Sequence, residues 1–130
     1  VIALGHVLPA DSKVLSRALW ESLTESILMI PQGVAVVPWC VPGSARIAED
    51  TGEAMKSHNV VLWPHHGLIC STPDCSYAFG MVETVEKAAR IHLLTRSASG
   101  GSTSPRSLSD DDIRAAARSF GVIVKEAYLG

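Results

Sequence analysis

Apolar runs of strand length alternate along this chain with segments whose apolar residues recur at helical spacing. Several of the links between them are too short for a crossover. Together these features predict an α/β fold: a mixed, largely antiparallel central sheet flanked by helices. Composition agrees. The chain has 130 residues, 47% hydrophobic and 18% charged, which excludes a disordered protein and suits one domain with a substantial core. A net charge of −2 offers no electrostatic footprint for nucleic acid or an anionic membrane. No apolar run reaches the roughly 18 residues of a membrane span. The three cysteines lack disulfide-framework spacing, so a reducing, cytoplasmic setting is expected.

Taken in order, residues 1–8 are nearly continuously apolar up to Pro9 and read as a buried strand. Their abrupt start resembles a cut edge, and the sheet is expected to be incomplete on its N-terminal side. Asp11 or Ser12 caps a helix with Val14, Leu15, Ala18 and Leu19 on one face. Residues 25–30 read as a second strand, Pro31-Gln32-Gly33 as a turn and 34–37 as a third strand, which together make an antiparallel hairpin. Ser44 caps a helix running to about His58. Residues 59–63 and 68–70 are strands four and five, with Pro64-His65-His66-Gly67 between them. A long helix starts at Thr72-Pro73-Asp74 and reaches about Thr95, with Val82, Val85, Ala89 and Leu93 as its stripe. Residues 97–107 are rich in Gly and Ser and read as a mobile loop. Ser109 caps a last helix, whose acidic start at Asp110, Asp111 and Asp112 suits a helix N-terminus, and Gly121 stops it. Residues 122–124 complete the count as one more strand. The whole of 1–130 reads as one unit.

The most suggestive spot for chemistry is His65-His66-Gly67. Neighbours in a strand point to opposite faces, so only one histidine would face a site. A neutral imidazole is a common zinc ligand, and Gly67 would let a metal or substrate approach the backbone. Ordinary loop histidines at a strand end are the alternative. His66, Cys70 and Cys75 lie close in sequence but form no C-x-x-C knuckle, and a thiol in an apolar strand is more often a small hydrophobe. Glu25, opening an apolar strand, is either an edge charge or an aimed acid/base. His6, inside an apolar run, reads as a core histidine, while His58 and His92 read as surface residues of helices. The P-loop, dinucleotide, nucleophile-elbow and H-E-x-x-H signatures are absent from the sequence.

Three runs carry a resemblance: Ile30-Pro31-Gln32-Gly33-Val34-Ala35-Val36-Val37-Pro38-Trp39, then Val41-Pro42-Gly43-Ser44, then Val60-Val61-Leu62-Trp63-Pro64-His65-His66-Gly67. The segment Phe79-Gly80-Met81-Val82-Glu83-Thr84-Val85-Glu86-Lys87-Ala88-Ala89 and the later Phe120-Gly121-Val122 extend it. These resemble the metal-dependent (class II) sugar-phosphate aldolases. The resemblance implies a lyase that cleaves L-rhamnulose 1-phosphate to dihydroxyacetone phosphate and L-lactaldehyde. Fuculose-phosphate cleavage and pentose-phosphate epimerisation are alternatives within the fold, and a non-catalytic assembly remnant is the alternative outside it. It implies zinc (Zn2+) as cofactor, with His66 a ligand and His65 not one. It implies a homo-oligomer, a tetramer, with the site at a subunit interface and Glu25 reaching toward a neighbouring subunit's site. On this reading the chain is the C-terminal half of such an enzyme, and the other two histidine ligands, the main catalytic Glu and the phosphate-binding loops lie outside it. Alone it is expected to be inactive and to hold zinc no more tightly than a surface histidine. Cys70 and Thr72 replace small Gly positions of the family and alter the loop after the strand.

Overall fold

A computed structural model describes residues 1–101 and 106–130. Its centre is a three-stranded mixed sheet, order β1-β2-β3, built from β1 (Val34–Val36), β2 (Val60–Trp63) and β3 (Gly67–Cys70). β1 pairs parallel to β2 with Val34 opposite Val60. β2 pairs antiparallel to β3, with Val60 opposite Cys70 and Trp63 opposite Gly67. The helices are α1 (Ile2–Val7), α2 (Ser12–Ser22), α3 (Thr24–Met29), α4 (Ala45–Ala54), α5 (Cys75–Ala98) and α6 (Asp110–Phe120), followed by a 3-10 turn at Glu126–Tyr128. The α/β class and its mixed sheet are as the sequence predicts.

The helix starts follow from local chemistry. The side chains of Asp11, Ser44, Asp74 and Ser109 each accept a hydrogen bond from the backbone N–H three residues on. Ser109 and Asp112 complete a reciprocal capping box, and Gly121 closes α6 at φ 68, a left-handed conformation natural to glycine.

Two expected strands are helices instead. In residues 1–8, Leu4 is buried with Val1, and Leu8 is half-buried, whereas Ile2, Ala3, His6 and Val7 are exposed. The buried positions recur three to four apart, which is a helical stripe, and a run of this length does not separate the two periods by apolarity alone. The same holds for 25–30. Ser26, Ile27 and Ile30 are buried, and Glu25 and Thr24 lie outside. The Ser26 hydroxyl bonds the carbonyls of Leu19, at 2.8 Å, and Leu23, at 2.6 Å, so even the polar residue of this turn is fixed by helical neighbours. The hairpin expected across Pro31-Gln32-Gly33 therefore does not exist. The chain passes from α3 into β1, and β1 finds its partner 26 positions later in β2. Residues 122–124 are not a strand either. They run as coil into the 3-10 turn. Of the segment read as a Gly/Ser-rich loop, residues 97 and 98 end α5, while 102–105 lie outside the described residues.

The edge of β1 away from β2 is finished by helix α2. Ser16 Oγ accepts from the Val34 N–H at 2.9 Å and Ser12 Oγ accepts from the Val36 N–H at 2.9 Å. Two serines one helical turn apart thus take ladder donors that a further strand would otherwise claim. The main core lies between this sheet, α2 and α5, with Leu15, Leu19, Val34, Val60, Leu62, Met81 and Val85 fully or almost fully buried. A second cluster gathers Trp20, Ile27, Ile113 and Ala117 under α6 and the tail. Among the described residues, no helix is long and apolar enough to cross a membrane.

Candidate functional site

The β2–β3 hairpin ends in a turn of unusual composition. The His66 N–H donates to the Trp63 carbonyl at 3.0 Å, so residues 63–66 close a four-residue turn. Pro64 stands at its second position and His65 at its third, with φ 64, the only non-glycine with positive φ among the described residues. Proline followed by a left-handed residue is the pattern of a type II turn, where glycine or asparagine is the usual third residue. The expectation that adjacent histidines point to opposite faces of a strand fails, because both belong to the turn and both are exposed. The His66 ring lies against Trp63, 5.4 Å between centroids. Trp63 is itself held by its indole N–H, which donates to Thr51 Oγ1 at 2.9 Å. A Cβ added at Gly67 would meet no atom within 4 Å, so packing within this chain does not demand glycine there. The space beside the Gly67 backbone is open, as close approach of a ligand requires.

His6 is where sequence reasoning missed most. It is neither buried nor in a strand. It sits exposed in the last turn of α1, with its Nε2 3.2 Å from His65 Nδ1 and the two rings edge to face at 4.5 Å. The pair is 59 residues apart in sequence, and no local pattern announces it. Glu25 is exposed in the first turn of α3 rather than at the mouth of a strand. A carboxylate there suits the positive end of the helix, a local contribution of about 0.3–1 kcal/mol that coexists with any chemical role. Cys70 is half-buried, its thiol 3.7 Å from the Ala78 carbonyl, and Cys75 is exposed. Among the described residues, no three His, Cys, Asp or Glu side chains are grouped to hold a metal. His66 thus suits the role of one zinc ligand by its donor type, exposure and open surroundings, and the remaining ligands are not grouped with it here.

Of the other two histidines, His58 is tied into the fold and His92 has a buried Nε2 without a hydrogen-bond partner. His58 is buried, not a surface residue. Its Nε2 lies 2.9 Å from Tyr128 Oη and 3.2 Å from Lys125 Nζ, and its Nδ1 lies 3.3 Å from the Ala54 carbonyl. An ammonium only donates, so the Lys125 contact fits the neutral ring with its proton on Nδ1. Burial first, then the Lys125 ammonium, holds His58 below the ordinary imidazole range. His92, half-buried, is lowered by burial and then by Arg96. It lines a cleft of about 390 Å³ between α2 and α5, together with Arg17, Glu21, Thr95 and Arg96. Neither His66 nor Glu25 borders that cleft.

A mixed sheet flanked by helices in this order has known counterparts. The chain belongs to the family of the class II aldolase and adducin N-terminal domain, which it matches over residues 2–93. Among individual proteins, it is 40% identical over 129 residues to a rhamnulose-1-phosphate aldolase of Pectobacterium atrosepticum, covering 99% of this chain and 46% of that protein. It is 39% identical over 122 residues to the rhamnulose-1-phosphate aldolase of Escherichia coli O81, covering 94% and 43%. The crystal structure of a sugar-phosphate aldolase from Thermotoga maritima superposes with a TM-score of 0.65 at 31% identity, covering 75% of this chain and 41% of that one. The chain therefore spans less than half the length of the relatives it matches.

Proposed function

We propose that this chain forms part of a zinc-dependent lyase that cleaves L-rhamnulose 1-phosphate to dihydroxyacetone phosphate and L-lactaldehyde. The observation that carries the reading is identity of 40% across 99% of the chain to a rhamnulose-1-phosphate aldolase, with His66 exposed on an open turn. On this reading the chain is the C-terminal half of the catalytic unit, the enzyme is a homotetramer of the cytoplasm, and the active site lies between subunits.

In the cleavage, the bond between the ketose's α and β carbons breaks. Its electron pair stays on the three-carbon phosphate half as an enediolate, and a hydroxyl proton leaves as the aldehyde forms. Zinc, when bound, supplies Lewis-acid stabilisation of the developing negative charge. His66 is the residue of this chain that would hold it, through a ring seated against Trp63 and beside the space that Gly67 leaves open. Glu25, exposed on α3, supplies the carboxylate that takes or positions the substrate hydroxyl proton at a neighbouring subunit's site.

The test uses the complete enzyme of which this chain is part. His66→Ala is expected to lose zinc and cleavage together, with His65→Ala retaining both. Glu25→Gln is expected to lower turnover while zinc content and melting temperature stay within error. Equal zinc and equal turnover in all variants would overturn the assignment. A panel with fuculose phosphate and ribulose phosphate decides among the activities of the fold, and cleavage of rhamnulose 1-phosphate is expected to exceed the others.

A further inference from the structure

We infer that His6 and His65 form a metal-binding site, a two-imidazole clip for a late first-row divalent cation. The proposal rests on the distance between two ring nitrogens and on their exposure, and it does not depend on the aldolase reading. His6 Nε2 and His65 Nδ1 are 3.2 Å apart. Two imidazoles bound to one ion at about 2.0–2.1 Å place their nitrogens roughly 2.9–3.4 Å apart for bond angles between about 90° and 109°. The observed separation lies inside that range, so the two nitrogens are spaced to share one cation once their lone pairs turn toward it. The edge-to-face packing of the rings, at 73° between planes, keeps them from stacking flat. Without metal the two nitrogens share one N–H···N hydrogen bond. When an ion binds, the donor ring's proton moves through water to its other nitrogen, so each neutral ring then carries its one proton away from the ion.

Three further features favour the site. Both side chains are exposed, so water can complete the coordination shell. His6 stands in the last turn of α1, where unpaired carbonyls favour positive charge. His65 keeps a left-handed backbone at φ 64 in a position where glycine or asparagine would be less strained. No third His, Cys, Asp or Glu among the described residues joins the pair, so an open, solvent-completed site is expected rather than a closed structural one. Among divalent ions, imidazole pairs hold Cu2+ most tightly, with Ni2+ and Zn2+ weaker. The inference reverses the expectation, drawn from the sequence with His6 placed in the core, that the chain holds zinc only as a lone surface histidine does.

The 130-residue chain is titrated with Cu2+, Ni2+ and Zn2+ by calorimetry, and the Cu2+ complex is examined by electron paramagnetic resonance for nitrogen couplings. One equivalent of Cu2+ with two coordinated nitrogens is expected. Loss of even an outer partner of a metal ligand costs 10–100-fold in affinity, so His6→Ala and His65→Gly are each expected to weaken binding by roughly ten-fold or more. His65→Gly suits the left-handed turn and keeps the fold, which a thermal melt checks, so its loss of affinity reports the ligand. His66→Ala is expected to leave the Cu2+ affinity within about two-fold, because His66 is not a member of the pair. Wild-type affinity in both His6→Ala and His65→Gly would overturn the inference. So would loss confined to His66→Ala, an outcome that leaves the aldolase reading standing.

Discussion

Around the β2–β3 turn, His65 and His66 are exposed, and their contacts to other elements or neighbours are few: His6 for one and the Trp63 ring for the other. At the C-terminal closure the polar groups are locked. Arg17 pairs with Glu21 at 3.0 Å and with Asp110 at 2.8 Å, and Asp110 also accepts the Gly130 N–H at 2.8 Å. His58, Tyr128 and Lys125 close a second knot, with the Lys125 ammonium 4.8 Å from the centre of the Tyr128 ring. The same residue type serves opposite ends. A histidine whose nitrogens are all engaged within the chain holds the fold, and one left exposed beside open space is free for a ligand. Number of internal partners, more than residue identity, separates architecture from chemistry here.

The comparison predicts that substitutions in the closed region cost stability and those at the open turn do not. The largest effect is expected from Gly33→Ala. Gly33 has φ 78, and an added Cβ would lie 2.3 Å from Ser16 Oγ, 2.8 Å from Ser16 Cβ and 2.9 Å from Tyr128 Cε2. The left-handed strain of about 1–2 kcal/mol and an overpacking cost of about 1–3 kcal/mol together give a loss of roughly 2–5 kcal/mol. Urea denaturation with an unchanged m-value checks it. A loss below about 1 kcal/mol would show that Ser16 and Tyr128 move aside easily and that the closure is looser than its contacts imply.

Acidification is the next probe. His58 and His92 both favour their neutral forms in the fold, so their contribution to stability is present above the ordinary histidine range near 6.5 and is lost as pH falls below it. Melting temperature is expected to drop between about pH 7 and pH 5, and His58→Gln is expected to flatten that slope. A slope unchanged by the substitution would assign the acid sensitivity elsewhere. Tyr128→Phe removes one hydrogen bond at His58 Nε2 while Lys125 remains, and a loss of about 1 kcal/mol is expected, read by the same denaturation.

The smallest effects belong to the open turn. His65→Gly is expected to leave stability unchanged or raise it by up to about 1 kcal/mol, because glycine adopts the left-handed conformation without strain. A loss instead would mean that the His6–His65 contact holds α1 to the hairpin, which would move this pair into the architectural class.

Much of the candidate site was legible in the chain. Pro64-His65-His66-Gly67 between two apolar runs marks a hairpin turn, and its resemblance to an aldolase motif singles out His66. What was not legible concerns α1 and α3. Each is six residues long, too short for periodicity to choose between strand and helix, and the error placed His6 in the core and Glu25 at a strand mouth. The hairpin expected at Gly33 failed with α3, although the turn itself and the positive φ of Gly33 are real.

By itself the sequence determined the features decided within one turn of chain. The caps at Asp11, Ser44, Asp74 and Ser109 and the stop at Gly121 involve donors and acceptors three or four residues apart, so the local residues suffice. Only the tertiary structure decided the parallel pairing of β1 with β2, the serines of α2 that bond the edge of β1, and the meeting of His6 with His65. Those contacts join segments far apart in the chain. They form because burying the faces of α2, α5 and the sheet against one another brings their edges and turns together, a long-range consequence of packing that no local spacing encodes.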